Sequence, residues 1–314
     1  MTDAPTDRRR SRAAVADFGP VTPLVADPRV TDVFVNGAGA VWADRGGGPQ
    51  RTTIVVTEQQ ARALAVRLVA AGGRHLDEAA PAGDARLADG IRVHAVLPPV
   101  SRTGTTISIR LPSPRAPSLR DMEDAGFFRT VPLAAVAGLV EQRTNLLITG
   151  AGGSGKTTLL GALLARAGPA ERIVTIEDVA ELRIRHPHVV SLEARQANLE
   201  GAGGIALERL VREALRMRPD RLVVGEVRGA EVRELLSALN TGHDGGAGTL
   251  HANSIADVPA RLEALGALAG MDAGAVARQA ASAFGAVLHL DRAPRRHLAQ
   301  IGALAIERDR LVVR

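Results

Sequence analysis

The chain has 314 residues, 46% hydrophobic and 23% charged, with a formal charge of +5, which is a globular composition long enough for two cores. The absence of cysteine excludes a disulfide framework and thiolate metal sites, zinc included. The isoelectric point of about 10.9 overstates the basicity, because without Tyr or Cys almost nothing titrates between His and Arg.

Residues 1–20 read as a disordered basic tail. The run RRRSR is not followed by an apolar stretch, so it is not a signal peptide; it suits a solvated tail or an anchor for anionic lipid. No run approaches 18 apolar residues, so no membrane span is expected, and the cytoplasm is the expected location. Residues 21–110 read as a small α+β domain. TDVFVN and AVWAD flank NGAG as a hairpin. TEQQARALAVRLVAAGG is a helix with a Thr57–Gln60 capping box and a stop at Gly72. DARLADGIRVHAVLPP and TGTTISIRL supply further strands. Residues 111–120, proline-rich and without periodicity, read as a linker.

From 121 to 314 the texture changes. NLLITG, RIVTIED and RLVVGEV are apolar strands, and GKTTLLGALLARAG and LERLVREALRM are helices between them. That alternation predicts an α/β domain, a mostly parallel sheet flanked by helices, of RecA-like type.

One stretch carries specific chemistry. Of 39 Lys and Arg residues, one is a lysine, and it lies in GAGGSGKTT. Gly150, Gly155, Lys156 and Thr157 fit G-x-x-x-x-G-K-[ST] after a strand and before a helix. Backbone N–H groups of Gly150, Ala151, Gly152, Gly153, Ser154 and Gly155 would cradle phosphates, joined by Thr158 at the helix start. The compact ammonium of Lys156 reaches β and γ phosphates where a planar guanidinium fits poorly, and Thr157 is placed to ligate Mg²⁺. ATP with Mg²⁺ is the expected ligand pair.

Hydrolysis also needs an acid to organise water. Glu226, ending an apolar strand, is one candidate and a water-mediated Mg²⁺ ligand. Glu177 and Asp178 end another strand, where they equally suit the acids of a helix N-terminus.

The segments GAGGSGKTT, TIEDVAEL, RMRPDRLVVGEVRG and NTGHDGGAGTLHANS, in this order, resemble the Walker A, acidic, Walker B and His boxes of the type II/type IV secretion ATPases. Within that family they look most like the tight-adherence (Flp-type) pilus branch, including its actinobacterial, conjugal-transfer-associated members. DPRVTDVFVNG, DARLADGIRVHAVLPP and TTISIR resemble the same family's N-terminal domain, so the likeness runs from about residue 20 to 300.

The resemblance implies an ATPase ring, a hexamer, that drives inner-membrane platform proteins from the cytoplasmic face. In that scheme Glu226 activates water, Glu177 and Asp178 help hold Mg²⁺, and His251 senses the γ-phosphate, with His243 a weaker candidate. Arg92 and Arg110 would close over the phosphates, with Arg195 and Arg228 as further possibilities. The short N-terminal extension departs from many members of the branch.

Two other readings share the nucleotide core. One is a nucleic-acid motor, disfavoured by one Trp and five Phe with no basic stripe interleaved with aromatics. The other is a nucleotide-regulated scaffold, which would not need Glu226.

Overall fold

The computed structural model describes residues 18–112, 116–195 and 203–314. The chain divides into two compact units, Met1–Arg115 and Ala116–Arg314.

In the first unit a 3₁₀ turn, Gly19–Val21, leads into α1 (Thr22–Ala26). Then come β1 (Asp32–Asn36), β2 (Gly39–Asp44), β3 (Pro49–Val56), α2 (Glu58–Ala71), β4 (Ala82–Arg86), β5 (Arg92–Val96) and β6 (Thr106–Arg110). The six strands form one antiparallel sheet in the order β3-β2-β1-β6-β5-β4. The capping box is present: Thr57 Oγ1 accepts from Gln60 N at 3.2 Å, and Gln60 Oε1 accepts from Thr57 N at 2.9 Å.

Side chains alternate across the pleat. Val33, Val93, Ile107 and Ile109 pack against Leu64 and Leu68 of α2. The opposite face carries a cross-strand row, Asp44–Asp32–Arg110–Arg92–Arg86, set by strand register.

Two expected boundaries move. Phe18, assigned to the tail, is 1% exposed in the core of this unit, because a large ring gains too much by burial to stay in solvent. The linker expected at 111–120 is anchored at both ends, with Leu111 in the first core and Leu119 in a core of the second unit. Residues 1–17 of the expected tail lie outside the described residues.

The second unit holds α3 (Leu119–Asp124), α4 (Leu133–Glu141), β7 (Leu146–Gly150), α5 (Lys156–Leu164), β8 (Ile173–Glu177), β9 (Val189–Glu193), α6 (Leu207–Leu215) and β10 (Arg221–Val224). It continues with α7 (Glu231–Leu239), β11 (Ala247–His251), α8 (Val258–Leu268), α9 (Ala273–Ala283), β12 (Ala286–Asp291) and β13 (His297–Gly302). A separate hairpin, β14 (Leu304–Glu307) and β15 (Arg310–Val313), follows.

The main sheet runs β13-β12-β7-β11-β10-β8-β9. Every pairing in it is parallel except β12 with β13. This is the expected α/β class, a mostly parallel sheet flanked by helices. Its central strands are apolar on both faces, and alternation divides them between two cores. Leu147, Leu222 and Val224 face α6 to α9. Leu146, Ile148 and Val223 face α3 to α5.

At the N-terminal edge of β10 the sheet holds a buried charge. Arg221 is 2% exposed. Its guanidinium donates to Glu171 Oε2 at 2.9 Å, to Glu171 Oε1 at 3.2 Å and to the Val140 carbonyl at 2.7 Å. Arg143 donates to the same carboxylate at 2.8 Å and to the Asp220 carbonyl at 2.6 Å. Burial alone would raise the Glu171 carboxyl, but hydrogen bonds from Arg221 and Gly168 and the nearby guanidinium charges outweigh it and hold it below its ordinary value.

Glu171→Gln strands a buried guanidinium and should cost about 3–5 kcal/mol, read as a lower urea midpoint. A lowered carboxyl stabilises the fold above its unfolded-state pKa and loses that contribution as pH falls through the folded one. The gap between wild type and variant should therefore close on acidification.

Candidate functional site

In an open parallel sheet, ligands bind at the carboxyl ends of the strands. Here β7, β11, β10 and β8 are neighbours, and their carboxyl ends bring Gly150, His251, Glu226 and Asp178 to one edge.

The loop from Gly150 to Gly155 joins β7 to α5, with Gly155 as the helix N-cap. Gly150 has φ of +147°, and a Cβ there would lie 2.6 Å from both the Leu290 carbonyl and Ser154 Oγ, so only glycine fits. Ser154 Oγ is buried and has no hydrogen-bond partner among the described residues. A buried hydroxyl inside a loop of amides suits an anionic acceptor.

Lys156 is 7% exposed, and its Nζ donates to the Gly150 and Ala151 carbonyls at 2.9 and 3.1 Å. Burial pushes its ammonium below the ordinary lysine value, while the Glu226 charge opposes that shift. Thr157 and Thr158 follow on the first turn of α5.

Glu226 is held from two sides. His251 Nε2 lies 2.7 Å from its Oε1, and the Arg228 guanidinium bonds its Oε2. Arg228 also reaches Asp178, Nη1 to Oδ2 3.8 Å, so one arginine bridges the acids of two strand ends. The hydrogen bond to Glu226 raises the Arg228 pKa above its ordinary value. Burial lowers the His251 imidazole, the Lys156 charge adds to that, and Glu226 acts against both.

Glu177 does not join this cluster through its Oε1, which accepts from the amides of Glu181 and Leu182 at 2.7 and 2.9 Å. It shapes the chain after β8. A Cβ on Gly225 would stand 2.5 Å from Glu177 Cγ, so the glycine before Glu226 makes room for that brace.

His243 caps the end of α7, with Nδ1 3.1 Å from the Ala238 carbonyl. Arg195 bonds the Gly203 carbonyl at 2.6 Å and bridges Ile205. Arg92 and Arg110 sit in the arginine row of the first unit.

Three residues escaped the sequence reading. Glu231, 3% exposed, accepts from the amides of Arg228 and Gly229 at 2.5 and 2.8 Å, fixing the turn that aims Arg228. Its place three residues after Arg228 in EVRGAE was an available signal. Arg292 donates to the Gly152 carbonyl at 3.3 Å. His289, 5% exposed, bonds Thr149 at 2.9 Å; a polar residue inside the apolar run AVLHL was the clue.

No group of three or more His, Asp or Glu side chains able to hold a metal occurs among the described residues. The donors at this edge are oxygens: the Thr157 hydroxyl and the carboxylates of Glu226 and Asp178. Such a set suits a hard divalent cation that keeps waters and shares phosphate oxygens, as Mg²⁺ does, rather than a protein-built cage.

The family model described as "Type II/IV secretion system protein" matches residues 14–296. A putative conjugal transfer protein of Mycobacterium tuberculosis is 48% identical over 312 residues, covering 96% of this chain and 89% of that protein. The type IV secretion system protein PtlH of Bordetella pertussis is 34% identical over 285 residues, covering 81% of each. The ATPase DotB of Legionella pneumophila shares the fold, with a TM-score of 0.59, 21% identity and coverage of 100% of this chain and 82% of that one. With a family match over most of its length and such relatives along it, the chain belongs to the type II/IV secretion system protein family.

Proposed function

We propose that the chain is an ATP-hydrolysing motor that powers assembly of a secretion apparatus or a tight-adherence (Flp-type) pilus. It would work as a homo-oligomeric ring, of hexameric type, at the cytoplasmic face of a membrane and against platform proteins in it. The observation that carries this reading is the grip of His251 and Arg228 on Glu226 beside the Lys156 loop. No helix among the described residues is long and apolar enough to cross a membrane, which suits a peripheral position.

The loop amides and the Lys156 ammonium would bind the phosphates, and Ser154 Oγ would gain its acceptor. Thr157 would hold Mg²⁺ directly, and Glu226 and Asp178 through water; the ion supplies charge neutralisation on the phosphate oxygens. Glu226 would orient the attacking water and take up its proton. While Arg228 bonds Glu226 Oε2, that oxygen is taken and cannot accept from a water. Phosphate charge competes for Arg228, and its withdrawal would free Glu226. His251, whose Nε2 lies 2.7 Å from Glu226 Oε1, would report the γ-phosphate to it.

Arg92 and Arg110 keep the role that the family likeness implies, as arginines that neutralise phosphate charge in the assembled ring. Arg110→Ala should then lower turnover and weaken ATP binding while the melting temperature holds. Unchanged turnover rejects that role.

Lys156→Arg preserves charge but not shape. It should weaken nucleotide binding about ten- to a hundredfold, the worth of one charge-assisted contact, measured with a fluorescent ADP analogue.

The deciding experiment is steady-state Mg²⁺-dependent ATP hydrolysis beside Glu226→Gln, with and without DNA, while light scattering reads the mass. Turnover that falls a hundredfold or more in the variant, as loss of a general base does, that ignores DNA and that tracks a ring-sized species is the expected result. Turnover that rises with DNA and collapses with salt would instead indicate a nucleic-acid motor. ATP binding without turnover would indicate a regulated scaffold.

A further inference from the structure

The nucleotide edge contains one buried titratable side chain for which the chemistry above has no use. His289 lies on β12, on the far side of β7 from the sensor strand β11. Its Nδ1 is 2.9 Å from Thr149 Oγ1, and Thr149 is fully buried. The backbone of Asn253 acts on the ring in the sense that favours a ring proton, as a nearby carbonyl oxygen does.

The two partners belong to different functional segments. Thr149 is the residue before Gly150, where the phosphate loop begins. Asn253 is two residues beyond His251. Register sharpens the point, since Gly150 pairs with His251 on one side and with Leu290, next to His289, on the other.

Burial pushes the His289 imidazole below its ordinary value, with the Lys156 charge adding to it and Asp291 and Asp257 opposing. A neutral ring with its proton on Nε2 satisfies both contacts. The Thr149 hydroxyl donates to Nδ1, and Nε2–H is the proton left for the Asn253 carbonyl. A plain core residue needs neither, and an apolar side chain would fill this strand position as its neighbours do.

We propose that His289 is a positioning residue that couples the phosphate loop to the His251 segment, so that occupation of the loop and the sensor's geometry change together. The proposal rests on His251 acting as the γ-phosphate sensor. Movement of Gly150 carries Thr149, Thr149 carries the imidazole, and the imidazole carries the chain at Asn253. Losing the link would spare binding at the loop and blunt discrimination between tri- and diphosphate.

The test compares affinities for ADP and for a non-hydrolysable ATP analogue in wild type, His251→Ala, His289→Leu, His289→Gln and the His251→Ala/His289→Leu double variant, with melting temperatures alongside. The expected result is near-wild-type ADP affinity in His289→Leu and an ATP-analogue preference reduced about tenfold, within the usual range of site coupling. The double variant should lose no more preference than His251→Ala alone, and His289→Gln, which keeps a donor and an acceptor, should recover most of it.

Thr149→Val removes the hydroxyl at constant volume and should repeat the phenotype; it carries the test if His289→Leu does not fold. Equal losses for both nucleotides, or additive losses in the double variant, overturn the coupling role. A wild type that binds no nucleotide overturns the proposed function itself, and the role of His289 with it.

Discussion

The Glu226 carboxylate is the charge around which this edge of the sheet is organised. Taken alone, a partly buried carboxylate costs solvation that nothing returns. Here His251 takes one oxygen and Arg228 the other, and Arg228 extends the link to Asp178. Each partner has support of its own. Glu231 fixes the turn that carries Arg228, β11 carries His251 beside Gly150, and Gly225 lets Glu177 pack close enough to shape the chain after β8. Strand ends that are far apart in sequence are thereby tied through one acid.

The architecture makes this possible. Because the central strands are parallel and apolar on both faces, their carboxyl ends gather at one edge, where polar side chains from several strands can meet. At the opposite edge Arg221 and Glu171 form a second charged cluster, closed by backbone carbonyls and remote from phosphate chemistry. The two clusters differ in exposure: Arg221 is sealed in, whereas Arg228 is open to solvent and can change partners at lower cost.

Much of this was legible in the sequence, for identifiable reasons. NLLITG, RIVTIED and RLVVGEV are short apolar runs that stop at a glycine or an acid, and each became a strand ending at the site. The loop glycines and Lys156 are consecutive, so local pattern sufficed. Glu226 was legible as an acid ending an apolar strand, whereas the His251 assignment came from the family likeness, and no local signal would have paired them. What stayed hidden was long-range. Arg221 meets Glu171 across 50 positions and His289 meets Thr149 across 140, separations that no periodicity reports. The edge strand VVSLE, only partly buried, lacks the strong apolar run that marks its neighbours. Phe18 and Leu111 were misread because a single apolar residue in a polar stretch gives no periodic signal, yet each is worth burying.

A last consequence concerns covalent chemistry at amines. Apart from the N-terminal amine, Lys156 is the one primary amine in the chain, and it is 7% exposed within its loop, with its ammonium pushed toward the neutral, nucleophilic form. Acylating reagents, and enzymes that acetylate or ubiquitinate lysine, therefore find a single internal target, and reacting with it removes the cation from the phosphate loop. A lysine-directed tag on this chain would therefore sit in the loop itself, and under the proposed function nucleotide bound there would shield Lys156 from both.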